Sequence, residues 1–126
     1  DDIALVQGTE DQRPRFIRTR MWLLGLRLTY RHATLVVAAH SLGGSLCLAS
    51  LYRVSNITTA HCYNSYASST MLARSHTATT AYSKATLHLV VDDPINVSSL
   101  LLEHVTFDLK IKLFDWLDAH ALQNWL

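Results

Sequence analysis

The 126 residues suffice for one domain with one modest core, and a content of 49% hydrophobic and 17% charged residues excludes a disordered chain. The net charge of +1 points to no strongly charged partner, and no apolar run reaches the roughly 18 residues of a membrane span. Two cysteines, Cys47 and Cys62, are too few for a disulfide framework, so we expect two buried thiols.

Strand-like and helix-like segments alternate along the chain, which predicts an α/β fold with a mostly parallel central sheet flanked by helices. In chain order, the first six segments are a strand at 3–6, a loop at 10–15, a helix at 17–30, a strand at 34–39, a helix at 42–53 and a strand at 58–66. The remaining four are a helix or irregular loop at 68–83, a strand at 85–91, and helices at 97–104 and 109–120.

The helix at 17–30 lies in the arginine-rich segment 13–31, which holds six arginines. Its apolar residues recur at helical spacing and are Ile17, Met21, Leu24 and Leu28. We favour packing of this apolar stripe on the sheet, with a solvated arginine face, over contact of the segment with phosphates or a membrane surface. Nucleic acid is a weaker alternative, because no binding motif accompanies the charges.

The stretch TLVVAAHSLGGSLCLAS at 34–50 places Ser41 on a turn between a predicted strand and a predicted helix. Ala39 and Gly43 give the pattern A-x-S-x-G, in which small residues on both sides let a strand and a helix meet at a sharp turn. Such a turn projects the serine hydroxyl above the sheet and aims helix N–H groups at a developing oxyanion. The alternative is an ordinary strand-to-helix turn with a capping serine.

Four segments in order resemble the class 3 lipase family of the α/β-hydrolase superfamily. The segment AHSLGGSLCLAS is similar to the family's nucleophile elbow, GHSLGG-A-L-A. Upstream, ALVQGTE resembles a strand that ends in R-G-T or R-G-S, and downstream, LHLVVDDPIN resembles the strand that ends in D-P-V or D-P-I. At the end of the chain, DAHALQNWL resembles the pattern H-x-L-x-N-(F/W)-L of some members, many of them viral or bacterial.

The resemblance implies a role for each matched residue. Ser41 would be the nucleophile, His120 the base and Asp93 the acid that orients the imidazole. The oxyanion hole would be formed by the hydroxyl and N–H of Thr9 and by the N–H of Leu42.

Alternatives remain for two of these residues. Asp92 is the rival of Asp93, and His104 is the runner-up to His120. We expect His40, beside Ser41, to pack against the turn rather than act as the base. The other four histidines are interpreted as surface or strand residues and are His32, His61, His76 and His88.

These observations predict a single lipase-like domain over residues 1–126, incomplete or minimal, since the chain is about half the length expected of the family and starts without Met. The expected function is hydrolysis of carboxylic esters, with an ester or lipid as substrate, no cofactor and no metal site. The alternative is a structural or interaction module, such as a virion component, in which a partner chain covers exposed sheet edges. The compartment stays open between secretion and a larger assembly.

Overall fold

The computed structural model describes residues 7–54, 57–110, 120 and 122–125. Its helices are α1 at Pro14–Thr29, α2 at Leu42–Leu51, α3 at Ser69–Thr77 and α4 at Thr79–Tyr82. Its strands are β1 at Val36–His40, β2 at Thr59–Tyr63, β3 at Ala85–Val90 and β4 at Thr106–Lys110. Three 3₁₀ helices lie at Glu10–Gln12, Pro94–Leu101 and Leu122–Trp125. None of the described helices is long and apolar enough to cross a bilayer.

The four strands form one parallel sheet in the order β1-β2-β3-β4, which confirms the predicted α/β class. The register pairs His40 with Tyr63, and Tyr63 with His88. Residues that follow β1, β2 and β3 therefore lie together at the carboxyl ends of the strands, where ligand sites of open parallel sheets lie.

The core lies between one face of the sheet and the helices. Alternate residues of β2 and β3 point into it, because successive side chains of a strand face opposite ways. These core residues are Ala60, Cys62, Ala85, Leu87 and Leu89. Helix α2 contributes a largely apolar surface from Cys47 to Leu51 to the same cluster. Both thiols are buried and free, as expected.

The prediction of the buried face of α1 was wrong. The helix buries Phe16 and Leu23, whereas the stripe of Ile17, Met21, Leu24 and Leu28 is exposed. The helix is apolar on more than one side, so the 3.6-residue period fits two different inward faces equally well. Packing against α2, and not the period, selects the face that is buried.

The last third of the chain also differs from the sequence prediction. Residues 109–110 end strand β4 instead of starting a helix, and 111–119 lie outside the described residues. The predicted helix at 97–104 is a 3₁₀ helix at Pro94–Leu101. In β4, polar Thr106, Asp108 and Lys110 alternate with apolar Phe107 and Leu109, which is a strand pattern.

Smaller differences concern the start of the chain and the segment before β3. The predicted loop at 10–15 contains the 3₁₀ helix Glu10–Gln12 and the first turn of α1. The segment 68–83, left open between helix and loop, forms α3 and α4. The predicted strand at 3–6 lies outside the described residues.

Candidate active site

Ser41 occupies a strained turn between β1 and α2. Its φ of 56° and ψ of −121° are values that non-glycine residues rarely adopt and that cost about 1–3 kcal/mol. The Ser41 N–H donates to the carbonyl of Tyr63 at 2.9 Å, which ties the turn to the end of β2. The Ser41 side chain makes no capping hydrogen bond to α2. The serine is therefore not the capping residue that the alternative interpretation required.

The close approach beneath this turn occurs at Gly44. A Cβ atom added at Gly44 would lie 1.8 Å from Oγ of Ser65, whereas one added at Gly43 would meet only Cβ of Ala39 at 3.5 Å. Because Gly44 has no side chain, α2 can pack closely against the loop after β2. Ala39 and Gly43 are neighbours, as the A-x-S-x-G pattern predicts, but their contact is an ordinary van der Waals distance.

The imidazole of His120 lies between Ser41 and Asp93. Oγ of Ser41 is 2.7 Å from Nε2 of His120, and Nδ1 of His120 is hydrogen-bonded to Oδ2 of Asp93. An ionised Asp93 can only accept, so Nδ1 of His120 carries a proton. In the neutral imidazole, Nε2 is then the acceptor and the Ser41 hydroxyl donates to it.

Asp93 is fully buried and is held from two sides. Its Oδ1 accepts from the N–H of Ile95 at 2.9 Å, which caps the 3₁₀ helix Pro94–Leu101, while Oδ2 accepts from His120. Strand β3 ends at Val90 and Pro94 begins the 3₁₀ helix, so the Asp93 carboxylate is fixed just beyond the carboxyl end of β3. Asp92 is exposed, and its side chain is not the partner of His120.

The backbone of His120 is anchored by two side chains that sequence analysis did not identify as site residues. The carbonyl of His120 is 2.8 Å from Nε2 of His40 and accepts from Nδ2 of Asn64 at 3.2 Å. Buried Asn64 has a φ of 49°, and its Oδ1 accepts from the N–H of Val90 at 3.0 Å. Asn64 thus joins the ends of β2 and β3 to the residue that carries the imidazole.

The proposed oxyanion residues lie at the same end of the sheet. Leu42 is the first residue of α2, where backbone N–H groups lack acceptors within the helix. Thr9 precedes the 3₁₀ helix Glu10–Gln12. Both of its neighbours are bonded to the start of α3. The carbonyl of Gly8 accepts from the Thr70 hydroxyl at 2.7 Å, and buried Glu10 accepts from the Ser68 hydroxyl. Among the described residues, no hydrogen bond joins Thr9 to Ser41 or His120, so its role stays a prediction.

The remaining histidines lie elsewhere. His104 is exposed, with Nε2 3.8 Å from Glu103, and His32 and His76 are also exposed. His61 and His88 lie on β2 and β3 and are hydrogen-bonded to each other at 2.9 Å. In the described part of the chain, no group of three or more His, Cys, Asp or Glu side chains is arranged to hold a metal ion.

Comparison with known proteins finds no matching protein family, curated protein or solved structure.

Proposed function

We propose that the protein is a serine hydrolase that cleaves carboxylic esters through Ser41, His120 and Asp93. The observation that carries this proposal is the hydrogen-bonded line from the Ser41 hydroxyl through the His120 imidazole to the buried Asp93 carboxylate. An ordinary structural serine needs neither a strained φ nor an imidazole acceptor that is itself oriented by a carboxylate.

In the first half-reaction, Nε2 of His120 takes the proton of the Ser41 hydroxyl as Oγ attacks the carbonyl carbon of the ester. The carbonyl oxygen becomes an oxyanion, which the N–H of Leu42 and the donors of Thr9 stabilise. Buried Asp93 stabilises the imidazolium of His120 without taking its proton. Collapse of the tetrahedral intermediate breaks the bond to the alcohol, which leaves with the proton from His120.

In the second half-reaction, His120 removes a proton from water, and the hydroxide attacks the acyl group on Ser41. The second intermediate releases the carboxylic acid and returns the proton to Ser41. The same imidazole thus serves each step as base and then as acid, which requires its anchored position between Ser41 and Asp93.

The fold proposed for this chemistry is that of an α/β-hydrolase. The parallel sheet, the strand–turn–helix at Ser41 and the order Ser41, Asp93, His120 support it, since this is the order of α/β-hydrolase triads. The substrate class, esters such as acylglycerols or phospholipids, comes from the class 3 lipase resemblance.

A fluorophosphonate probe tests the proposal, because it reacts with activated serines. We expect the wild type to be labelled and the Ser41→Ala variant to be unlabelled. Ser50→Ala is the matched control, since the Ser50 hydroxyl donates to the carbonyl of Leu46 within α2, and it should keep its label. Equal labelling of all three proteins, or of none, contradicts the mechanism when circular dichroism shows that they are folded.

A second candidate function is a structural module that pairs with another chain. Strand β4 is exposed along its whole length, and an unpaired edge strand can pair with a partner. This alternative predicts a folded wild-type protein that resists the probe and assembles in sizing chromatography. An assembly lost on Phe107→Lys or Leu109→Lys in β4 supports it.

A further inference from the structure

Strand β1 lies at one border of the sheet, and its outer edge is open. In the described part of the chain, β1 pairs with β2 and with no other strand. The bonds to β2 are made by odd-numbered residues, including the carbonyl of Leu35, which accepts from Thr59, and the N–H of Ser41. The N–H and carbonyl groups of Val36 and Ala38 therefore point away from β2, and no described residue bonds to them.

This edge lacks the features that protect exposed strands from further pairing. Natural edge strands are commonly protected by charged side chains, proline or a bulge. The sequence of β1, VVAAH, contains no Asp, Glu, Lys, Arg or Pro, and Val36 and Ala38 are exposed. Strand β4, at the opposite border, carries Asp108 and Lys110. The composition of β1 is thus the better suited of the two borders to accept another strand.

A groove with a volume of about 390 Å³ runs between the β1 edge and helix α1, and we call it the β1 groove. Five consecutive residues, 35–39, form its sheet side, and Trp22 and Leu26 form much of its helix side. None of the described lining side chains is charged. The hydroxyl of Thr19, which also lines the groove, already donates to the carbonyl of Arg15 at 2.8 Å. The free polar groups that border the groove are therefore those of the β1 backbone.

The β1 groove has the layout of one further strand position. A strand added to a sheet lies about 4.8 Å from its neighbour. Its backbone would meet the N–H and carbonyl groups of Val36 and Ala38, and every second side chain would point between the sheet and α1. Trp22 is 63% exposed and Val36 is 56% exposed, so an added strand has large apolar groups to cover.

We propose that the β1 groove binds an extended, apolar peptide segment of a partner protein, which adds a strand to the sheet beside β1. The row of unpaired N–H and carbonyl groups selects a peptide, because only a backbone offers acceptors and donors at the same spacing. An alkyl chain in the same place would bury these groups without hydrogen bonds, which is costly. The uncharged walls select apolar side chains at alternate positions of the peptide.

Pairing with β1 of a second copy is disfavoured by the position of α1. Two β1 strands paired about a two-fold axis would lie about 4.8 Å apart. The α1 helix of each copy lines the groove beside its own β1, so both helices would lie over the same junction. Packed helices need axes about 8–10 Å apart, and the two α1 helices would collide. A single strand without such a helix avoids this collision.

Fluorescence anisotropy tests the proposal with a fluorescein-labelled, acetylated heptapeptide of alternating valine and threonine. We expect saturable binding to the wild type. Two further peptides carry N-methyl groups, one on its valines and the other on its threonines. Alternate amides of a strand point to opposite edges, so one methylated peptide should lose binding and the other should keep it. Equal affinities of the two methylated peptides contradict strand addition.

Ala38→Pro tests the backbone of the edge. Proline removes the N–H that faces the groove but leaves the bonds of the neighbouring residues to β2, and edge strands tolerate proline there. We expect about tenfold weaker binding, because a hydrogen bond is lost and the ring obstructs the incoming strand. Ala38→Ser keeps the N–H and is the matched control, with affinity close to that of the wild type. Circular dichroism checks that both variants are folded.

Trp22→Ser tests the helix side of the groove. A large aromatic group that becomes covered is a typical anchor of an interface, so its loss should weaken binding by about tenfold or more. Tyr30→Ser is the matched control, since Tyr30 is 61% exposed, lies at the end of α1 and does not line the β1 groove. Its affinity should equal that of the wild type.

Hydrogen exchange followed by NMR locates the bound peptide. At a free peptide concentration about ten times its Kd, exchange of the Ala38 amide should slow about tenfold, because a bound peptide protects it. The Ala39 amide faces β2 in both states and should change much less.

Three results overturn the proposal: no saturable binding to the wild type, full affinity of folded Ala38→Pro, or unchanged exchange of the Ala38 amide. Binding that appears only after deletion of residues 1–6 assigns the edge to that segment of the chain itself. Self-association that Ala38→Pro abolishes, without peptide binding, assigns the edge to a second copy. Ser41→Ala should bind the peptide like the wild type, so this proposal and the catalytic one are tested separately.

Discussion

The described residues hold two hydrogen-bonded histidine–aspartate pairs at the sheet, and the proposed mechanism uses one of them. In the first pair, Nδ1 of His120 bonds to Asp93 beyond the carboxyl end of β3. In the second pair, Nδ1 of His88 bonds to Asp108 at 2.7 Å across β3 and β4. The two imidazoles are similarly shielded, with side chains 19% and 14% exposed.

The pairs differ in the burial of the acid and in the partner of Nε2. The Asp93 side chain is 0% exposed, while that of Asp108 is 52% exposed. Water screens the exposed carboxylate, so it orients and stabilises its histidine much less. Nε2 of His120 meets the hydroxyl of Ser41 on a strained turn, whereas Nε2 of His88 meets Nδ1 of His61.

This comparison shows that a bonded histidine and aspartate do not by themselves define a site. His88 is stacked on Tyr63 with ring centroids 4.3 Å apart, and Trp125 lies edge-on at 5.4 Å. We interpret the second pair as packing that holds the C-terminal turn on the sheet. Nε2 of its imidazole bonds to His61 and not to a serine hydroxyl, so the two pairs should respond very differently to the same substitution.

The largest expected effect comes from removal of the charge of each acid. Asp93→Asn should lower kcat for ester hydrolysis by about 10⁴-fold, because an amide can donate to Nδ1 and favours the wrong tautomer of His120. Asp108→Asn should change kcat by less than about twofold, since an exposed pair contributes little. Steady-state hydrolysis of a chromogenic ester measures both.

The comparison fails if the two variants lose activity equally. An active Asp93→Asn variant removes Asp93 from the mechanism. A folded but inactive Asp108→Asn variant means that the second pair acts on the site and not only on packing.

The next difference between the pairs is that the backbone carbonyl of His120 is held by His40 and Asn64. Loss of these hydrogen bonds should lower kcat by up to about a hundredfold. Asn64→Gly keeps the positive φ but removes the bonds to His120 and Val90. His40→Phe removes a donor to the same carbonyl, while His40→Gln offers an amide N–H in its place. We expect lower kcat with little change in KM for Asn64→Gly and His40→Phe.

Rescue by His40→Gln distinguishes positioning from simple packing. It should recover most of the kcat lost in His40→Phe, since the replaced function is hydrogen-bond donation. If His40→Gln is as slow as His40→Phe, shape at this position matters more than the hydrogen bond.

The approximate positions of β1, β2 and β3 along the chain, and the position of Asp93 after β3, were predictable from local signals. The run 35–39 is apolar, and in 85–91 Thr86 and His88 alternate with apolar residues, so both segments have the composition of strands. Because proline does not continue a strand, Pro94 predicts that the strand ends before it, and Asp93 does lie just beyond the carboxyl end of β3, which ends at Val90. These signals depend only on neighbouring residues, so one sequence is enough to detect them.

The features that were missed depend on contacts between distant residues. Asn64 gains its significance from His120 and Val90, which are 56 and 26 residues away in the chain. Its only local signal is that asparagine tolerates a positive φ at the end of a strand. The buried face of α1 was missed because Phe16 and Leu23 fit the helical period no better than the exposed residues Ile17, Met21, Leu24 and Leu28 do.

The third prediction concerns the close contact between Gly44 of α2 and Ser65, and its measure is the free energy of unfolding. Gly44→Ala should destabilise the protein by about 1–3 kcal/mol, because the new methyl group collides with Ser65. Gly43→Ala is the matched control, with 3.5 Å to the nearest atom, and should be neutral or slightly stabilising as alanine favours helix. Urea unfolding measures both. Equal losses would mean that α2 does not approach the loop after β2 as closely as the structure has it.

The smallest effect concerns the face of β2 opposite His61, where Cys62 is buried beside Cys47. The hydrogen bond with Cys47, burial and the charge of Cys47 raise the pKa of the Cys62 thiol well above its ordinary value of 9.0. The folded state therefore binds more protons than the unfolded state above about pH 9. The stability that this thiol contributes is complete below that pH and is lost as the pH rises toward the raised pKa.

The Cys62→Ala variant isolates the contribution of this buried thiol. Between pH 9 and 10, the wild type should lose up to about 1.4 kcal/mol more stability than the variant, the limit for one proton per pH unit. Thermal unfolding of both proteins across this range measures the difference. Parallel curves would mean that Cys62 ionises no less readily in the fold than in the unfolded chain, which contradicts the raised pKa of its thiol.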